Sequence, residues 1–352
     1  PDNDDINYYY PTNDLVPAPE ILFFWVARMI IAGYEYRDEK PFENVYLTGI
    51  VRDIKRRKMS KSLGNSPDPI RLMEKYSADG VRVGMLLCSP AGNDLLFDES
   101  LTEQGRNFGN KIWNAFRLIK TWNVDKELNQ PEESTLASEW FREKLNQTII
   151  QLEEQFKKYR ISDALMLIYK LFWDEFSSWY LEIVKPVYGK PIDKKTYDQT
   201  ISFLEELVKI LHPFMPFITE EIWQLIRERK VGESIMISKM PATSDYNPFI
   251  VEQFERLKQV ITSIRNIRSE KNISPKELLV LQFISANGKY SNELDPVLKK
   301  LANVEPIEEV EKKPANSVSF IVKNIEYYIP LEGKVNIEEE LQKLQKEMEY
   351  TK

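Results

Sequence analysis

The segment Lys58-Met59-Ser60-Lys61-Ser62-Leu63-Gly64-Asn65 sets two lysines and two serines within five residues. A lysine ammonium is a compact charge on a flexible stem with three donors. Two of them on one short loop can follow a polyphosphate as charge shifts during in-line attack. They would stabilise what develops on the α-phosphate and on the departing pyrophosphate. Ser60 and Ser62 can add hydroxyl donors, and Gly64 gives the loop backbone freedom. A solvated basic loop would have the same composition, so the order of the residues and their setting must decide.

That setting is a predicted strand, a polar loop and a capped helix. Asn44 to Val51 is β-branched and apolar and reads as a buried strand. Asp68-Pro69 then forms an N-cap and first-turn pair. Upstream, Glu20 to Ala32 is apolar nearly all round and predicts a buried helix, with Pro19 in its first turn and Gly33 at its C-terminal cap. Residues 1–97 therefore read as α/β.

From 98 to 276 the pattern is helical. Phe108, Ile112, Trp113, Phe116 and Ile119 recur at spacings of three and four, as do Leu165, Ile168, Leu171, Phe172, Phe176 and Trp179, which predicts a helix bundle. Gln130 to Thr135 reads as an interhelical loop, and another helix opens at Asn247-Pro248 with Ile250, Phe254, Leu257, Ile261 and Ile264 on one face. Residues 277–334 predict a small α/β module: strands at Leu278 to Ile284 and Ser317 to Val322, with a helix from Ser291 to Leu301 between them. Ile337, Leu341, Leu344 and Met348 step by four, three and four, which predicts the start of a coiled coil over 335–352. About two heptads are too few to stand alone.

Composition narrows the chemistry. The chain has 352 residues and a net charge of −7, so any RNA contact must rest on local basic patches. Cys88 and His212 are the only residues of their types. No disulfide or Cys-rich zinc site can be assembled from them, and a reducing cytoplasm is the expected setting. The apolar stretch Ile21 to Gly33 is too short to span a bilayer and carries Arg28. The opening Pro-Asp-Asn-Asp-Asp is unlike a signal peptide and lacks an initiator Met, so the chain reads as part of a longer one.

KMSKS followed by LGN, after VYLTGIVRD, resembles the second signature of class I aminoacyl-tRNA synthetases. GRNFGNKIWNAFRL (Gly105 to Leu118) resembles the helix joining catalytic and anticodon-binding domains. LHPFMPFITEEIW (Leu211 to Trp223) and IRNIRSEKNISP (Ile264 to Pro275) are similar to bundle motifs of the Val/Ile/Leu/Met subgroup. The resemblance implies the C-terminal half of a Rossmann-like nucleotide-binding domain over 1–97, a helical anticodon-binding domain over 98–276, then the small module and the coiled-coil start. It implies ATP, with Mg2+ accompanying it and no protein-bound zinc in this span. It assigns the phosphate chemistry to Lys61, supported by Lys58 and Ser60, with Met59 and Gly49 among the ATP-binding positions. The family usually has Gly-Arg before KMSKS, where this chain has Arg56-Arg57. Its first signature, His-x-Gly-His, is absent, as are the first half of that fold and the editing domain, so the chain alone is expected to be inactive.

PEILFFWVARM (Pro19 to Met29) resembles the valine branch of the family. That implies a substrate ammonium held by Glu20 and a small aliphatic pocket walled by Ile21 and Trp25. Without the family, Ile21 and Trp25 fit core equally, and Glu20 fits a helix-dipole partner. The stretch YYIPLEGKVNIEEELQKLQKEME resembles the entry to the coiled coil of the same branch. The implied partners are L-valine and tRNA(Val), with a monomeric parent in the cytoplasm and no membrane. An isoleucine or leucine enzyme, or a non-catalytic tRNA-binding module, are the alternatives. Arg106, Lys111, Arg117, Arg265 and Arg268 are placed by resemblance near the anticodon arm, where phosphate contacts would position the RNA. Trp113, Trp179 and Trp223 read as core, and His212 as a structural residue at a helix end.

Overall fold

The structure, a computed structural model, describes residues 3–89, 93–285 and 290–331. The expected coiled-coil start at 335–352 lies outside them. In chain order the elements begin with α1 (Asp4–Tyr9), β1 (Thr12–Leu15), a 3-10 turn at Pro19–Ile21, a π turn at Leu22–Val26, α2 (Ala27–Arg37), β2 (Phe42–Val45) and β3 (Val51–Arg52). There follow α3 (Pro69–Tyr76), α4 (Ala78–Leu87), β4 (Leu95–Leu96), α5 (Glu99–Lys120), β5 (Val124–Asp125), α6 (Glu132–Lys157), α7 (Ile161–Lys170) and a π-helical stretch at Leu171–Tyr180. The remainder comprises α8 (Leu181–Val184), β6 (Ile192–Asp193), α9 (Lys194–Leu211), α10 (Pro216–Ile226), a 3-10 turn at Ile235–Ile237, α11 (Pro248–Glu270), β7 (Leu279–Ser285), α12 (Asp295–Ala302), β8 (Val304–Glu309), β9 (Ser317–Val322) and β10 (Ile325–Pro330). No helix among the described residues is long and apolar enough to cross a membrane.

The chain forms two compact units, one from Pro1–Thr121, Gln147–Glu175 and Ile201–Ser244, the other from Trp122–Asn146, Phe176–Thr200 and the chain from Asp245. In the first unit the predicted strand Asn44 to Val51 is not one buried strand. β2 pairs in parallel with β1, and β3 pairs in parallel with β4. Between them Tyr46 and Thr48 donate backbone N–H bonds to Leu15 and Pro17, so the run stays extended while changing partner. Its apolar residues are only partly covered: Val45 and Leu47 are exposed.

The predicted buried helix also departs from expectation. Pro19 does open a helical turn, but the segment passes from 3-10 through π to α geometry. It runs through Gly33 to Arg37 and ends on Asp38, whose backbone is left-handed at φ 55°. Between Leu22 and Arg37 only Val26 and Gly33 are buried, whereas Phe23, Phe24, Trp25 and Ile31 face solvent. An all-round apolar helix needs cover on every side, and the described residues cover one.

Farther on, apolar spacing and packing agree. Asp68 caps α3 through Ile70 N at 2.9 Å. α4 crosses α5 at glycines: a Cβ on Gly105 would stand 2.3 Å from the Gly80 carbonyl oxygen, and one on Gly84 would stand 2.7 Å from the Thr102 backbone. The Phe108 ring then packs against Tyr169 and Phe172. α4 also holds the corner between α9 and α10. Its buried Asp79 carboxylate accepts the Phe217 and Ile218 N–H groups at 3.3 and 2.7 Å, where the helix dipole favours negative charge. Burial nevertheless pushes its pKa up. Arg82 donates to the Phe214 and Pro213 carbonyls.

In the second unit Trp140 stacks on Phe254 at 4.2 Å between centroids. α6 begins at Glu132, inside the stretch expected to be loop. Asn247 caps α11 through Phe249 N, as its sequence predicts. The terminal module is a four-stranded sheet in the order β8-β7-β10-β9, with β7 parallel to β8 across α12 and β10 antiparallel to both its neighbours. β8 and β10 add to the two strands predicted there.

Candidate active site

The Lys58–Ser62 loop grows out of β3. Met59 N donates to Val51 O at 3.1 Å, and Lys58 bridges Arg52 in antiparallel fashion, so the chain doubles back on the strand. The Met59 side chain packs against a cluster of Leu72, Tyr76, Cys88, Leu95 and Phe97. Of the loop's signature residues, methionine is thus the anchor. Gly49 is among the expected ATP-binding positions. Its backbone lies so close to Asn93 that a Cβ would stand 1.9 Å from the Asn93 carbonyl, which accounts for glycine without a ligand.

The turn from Asp53 to Arg57 is built on one carboxylate. Asp53 Oδ1 accepts from Lys55 N and Arg57 N at 3.0 and 2.9 Å, and Oδ2 accepts from Arg57 Nε and Asn65 Nδ2 at 2.9 and 3.0 Å. These bonds, that from Asn65 foremost, hold the Asp53 pKa at about 2 despite the opposing effect of burial. Asp53 was not among the residues that sequence pattern singled out. Its signal was an acid closing an apolar run and opening a turn. Arg56, where the family usually has glycine, adopts φ 63°. That left-handed conformation is the physical reason for glycine at this position.

Asn65 braces the loop. Its Oδ1 accepts from Ser60 N at 3.0 Å, and its Nδ2 also donates to Lys58 O at 3.2 Å. Ser60 Oγ lies 3.1 Å from Ser62 Oγ and accepts from Leu63 N at 3.2 Å. Lys61 is exposed, and no side-chain bond or ion pair for it is found among the described residues. Its carbonyl accepts from Gly64 N.

Lys58 and Glu20, predicted for different substrates, meet. The Lys58 ammonium lies 2.8 Å from each Glu20 carboxylate oxygen. Both side chains remain about half exposed, so the pair contributes about 0–1 kcal/mol and exchanges readily. Ile21 and Trp25, predicted as pocket walls or as core, are exposed, Trp25 by 58%. Neither is a core position.

The predicted RNA contacts divide by what their side chains already touch. On α5, Arg106 pairs with Glu103 at 3.2 Å, and the Lys111 ammonium sits 5.4 Å above the Trp173 ring. Arg117 is exposed, and no side-chain partner for it is found among the described residues. On α11, Arg265 lies over the Trp179 ring and donates to Leu301 O. Arg268 corrects the expectation. It is buried and donates to the Ser274, Ala302 and Asn303 carbonyls at 2.8, 2.9 and 3.0 Å, binding α11 to the terminal module. A guanidinium committed to three carbonyls has no fork left for phosphate. His212 is structural as expected. The Thr219 hydroxyl donates to Met215 O, which leaves His212 Nδ1 to donate to Thr219 Oγ1 at 2.7 Å, and burial lowers the imidazole pKa.

Two family models match the chain: tRNA synthetases class I (I, L, M and V) over residues 1–98, and anticodon-binding domain of tRNA ligase over residues 138–283. The valine--tRNA ligase of Parabacteroides distasonis is 55% identical over the whole chain, and that of Phocaeicola vulgatus is 58% identical over 99% of it. The chain spans 40% of the length of each of these relatives. Among solved structures, an Agrobacterium radiobacter LeuRS-tRNA-LeuAMS ternary complex matches with a TM-score of 0.52 at 16% identity, covering 92% of this chain and 38% of that one. A methionyl-tRNA synthetase of Mycobacterium tuberculosis bound by methionyl-adenylate matches with a TM-score of 0.50 at 18% identity, covering 69% of this chain and 50% of that one. At such identities the likeness concerns the fold alone.

Proposed function

We infer that this chain, which belongs to the class I tRNA synthetases and resembles valine--tRNA ligases along its whole length, supplies one side of an ATP and amino-acid site in an enzyme that charges tRNA(Val) with L-valine. In the activation step a valine carboxylate oxygen attacks the α-phosphorus of ATP. The bond to pyrophosphate breaks, and valyl-adenylate forms. The observation that carries this reading is the exposed, uncommitted Lys61 on a loop anchored at its base by Met59. Its ammonium can meet the negative charge that builds on the phosphates only as the bond breaks, which lowers the barrier and not merely the binding energy.

Lys58 and Glu20 have linked parts. Glu20 takes the substrate ammonium in place of the Lys58 ammonium, so a carboxylate–ammonium pair is retained and Lys58 is released toward phosphate. Mg2+ would accompany ATP. Arg106, Lys111 and Arg117 on α5 and Arg265 on α11 are the candidates for phosphates of the tRNA. A module that only bound RNA would gain nothing from a lysine held free on a braced loop. The chain alone is expected to be inactive, because the family's His-x-Gly-His signature is not within it.

The test is Lys61→Ala in a full-length valine--tRNA ligase that carries these residues. Valine-dependent ATP–pyrophosphate exchange should fall about 100- to 1,000-fold in kcat, the range seen when one transition-state donor is removed. Valine affinity should change by no more than about twofold. Equal losses in both would overturn the transition-state role. Faster charging with isoleucine than with valine would overturn the choice of amino acid.

A further inference from the structure

Asn65 touches three parts of the loop through one amide. It accepts from Ser60 N, donates to Lys58 O, and donates to Asp53 Oδ2. Asp53 is buried and is itself held by the N–H groups of Lys55 and Arg57 and by the Arg57 guanidinium. The backbone from Lys58 to Ser60 is therefore gripped from the polar side by Asn65, while Met59 packs into the apolar cluster on the other. Beyond Ser60 the grip ends. Lys61, Ser62, Leu63 and Gly64 are all exposed, and Gly64 has φ 62°. The loop thus has a fixed base and an exposed four-residue tip, closed as a turn by Gly64 N donating to Lys61 O and Leu63 N donating to Ser60 Oγ.

We propose that Asn65, held by Asp53, is a positioning residue for Lys61: it fixes the backbone at Lys58 and Ser60 and so determines where the Lys61 ammonium can reach. It acts on the activation step through Lys61 and touches neither ATP nor the amino acid. The proposal rests on the reading of Lys61 given above. Only an amide serves at this position, because the side chain must accept on one atom and donate from the other. An aspartate there would face Asp53 with a second carboxylate and would lose both donated bonds. A misplacement of reacting groups on the order of 1 Å can cost about 100-fold in rate, so a brace remote from the phosphates can still control the chemistry.

The experiment is a double-mutant cycle in a full-length ligase carrying these residues, read by valine-dependent ATP–pyrophosphate exchange and by thermal unfolding. Asn65→Ala should lower kcat roughly 10- to 100-fold, with the KM for valine changed by no more than about twofold and the unfolding midpoint lowered by no more than about 2–4 °C. Asn65→Asp should lose as much. In a Lys61→Ala background, Asn65→Ala should cost nothing further, since the group it positions is gone. A loss of the same size in both backgrounds would overturn the proposal, as would no loss in either or a loss confined to KM. If Lys61→Ala lowers exchange while Asn65→Ala does not, this proposal fails and the reading of Lys61 stands. If Lys61→Ala leaves exchange intact, both fall.

Discussion

Arg56 shows how one residue carries a conflict between backbone and side chain. Its φ of 63° lies in the region where an L-residue other than glycine costs about 1–2 kcal/mol. Its carbonyl accepts from Arg52 Nη1 at 3.2 Å, a bond that any residue at 56 would keep. Arg56→Gly should therefore relieve the strain, offset by the roughly 0.5–1 kcal/mol of extra chain entropy that glycine loses on folding. The expected net gain is about 0.5–1 kcal/mol, read from the urea midpoint of the 352-residue chain. A loss of stability would mean that the arginine side chain contributes more than its backbone costs. The same reasoning separates residues that pattern revealed from those it could not. Lys58, Ser60 and Lys61 stand out in the sequence because their order is unusual. Asp53 was not, since a single acid at the end of a strand is common and its four bonds appear only once the turn folds back. Arg268 was misjudged because a charged residue on a long helix usually faces water, and the terminal module that buries it follows later in the chain.

At the scale of elements, local chemistry was legible and tertiary cover was not. Asp68 and Asn247 cap their helices as their positions predict, because a cap depends on neighbours two residues away. The extended run from Asn44 to Val51 and the apolar segment after Pro19 were misjudged in burial, because apolar composition reports what a segment could bury and not what lies against it. The α4–α5 crossing lies between these cases. Gly80, Gly84 and Gly105 are visible in the sequence, but their purpose is a backbone approach that only the fold reveals. Gly105→Ala would drive a methyl to 2.3 Å from the Gly80 carbonyl oxygen, and backbone cannot turn aside. The expected cost is about 1–3 kcal/mol, that of an overpacked core. Gly109→Ala, one turn on in the same helix, is the control. Its Cβ would meet Met215 at an ordinary 3.5 Å, and alanine is the better helix former by roughly 0.5–1 kcal/mol. Urea unfolding of the two variants should shift in opposite directions. A shared direction would show that the glycines serve propensity and not packing.

For the whole molecule, a net charge of −7 means that the summed field does not draw RNA in, so the tRNA contact proposed above must rest on local groups of solvent-facing cations. The structure shortens the set predicted from sequence. Arg268 is buried on three carbonyls, and Arg106 is paired with Glu103, leaving Arg117 the most available. Each phosphate contact releases condensed counterions and contributes about 0.7 to the steepness of log K against log salt on a single strand, and about 0.9 on a duplex. Binding of tRNA to the 352-residue chain should therefore show a shallow slope. Arg117→Ala should reduce that slope by about 0.7–0.9 while leaving thermal stability unchanged. Arg268→Ala should do the reverse. It removes a buried donor from three carbonyls, so it should lower the unfolding free energy by about 3 kcal/mol or more and leave the salt slope of the folded protein intact. Fluorescence titration at several salt concentrations, with unfolding curves for both variants, separates the two roles. A slope that falls with Arg268→Ala and not with Arg117→Ala would reverse the assignment of these residues.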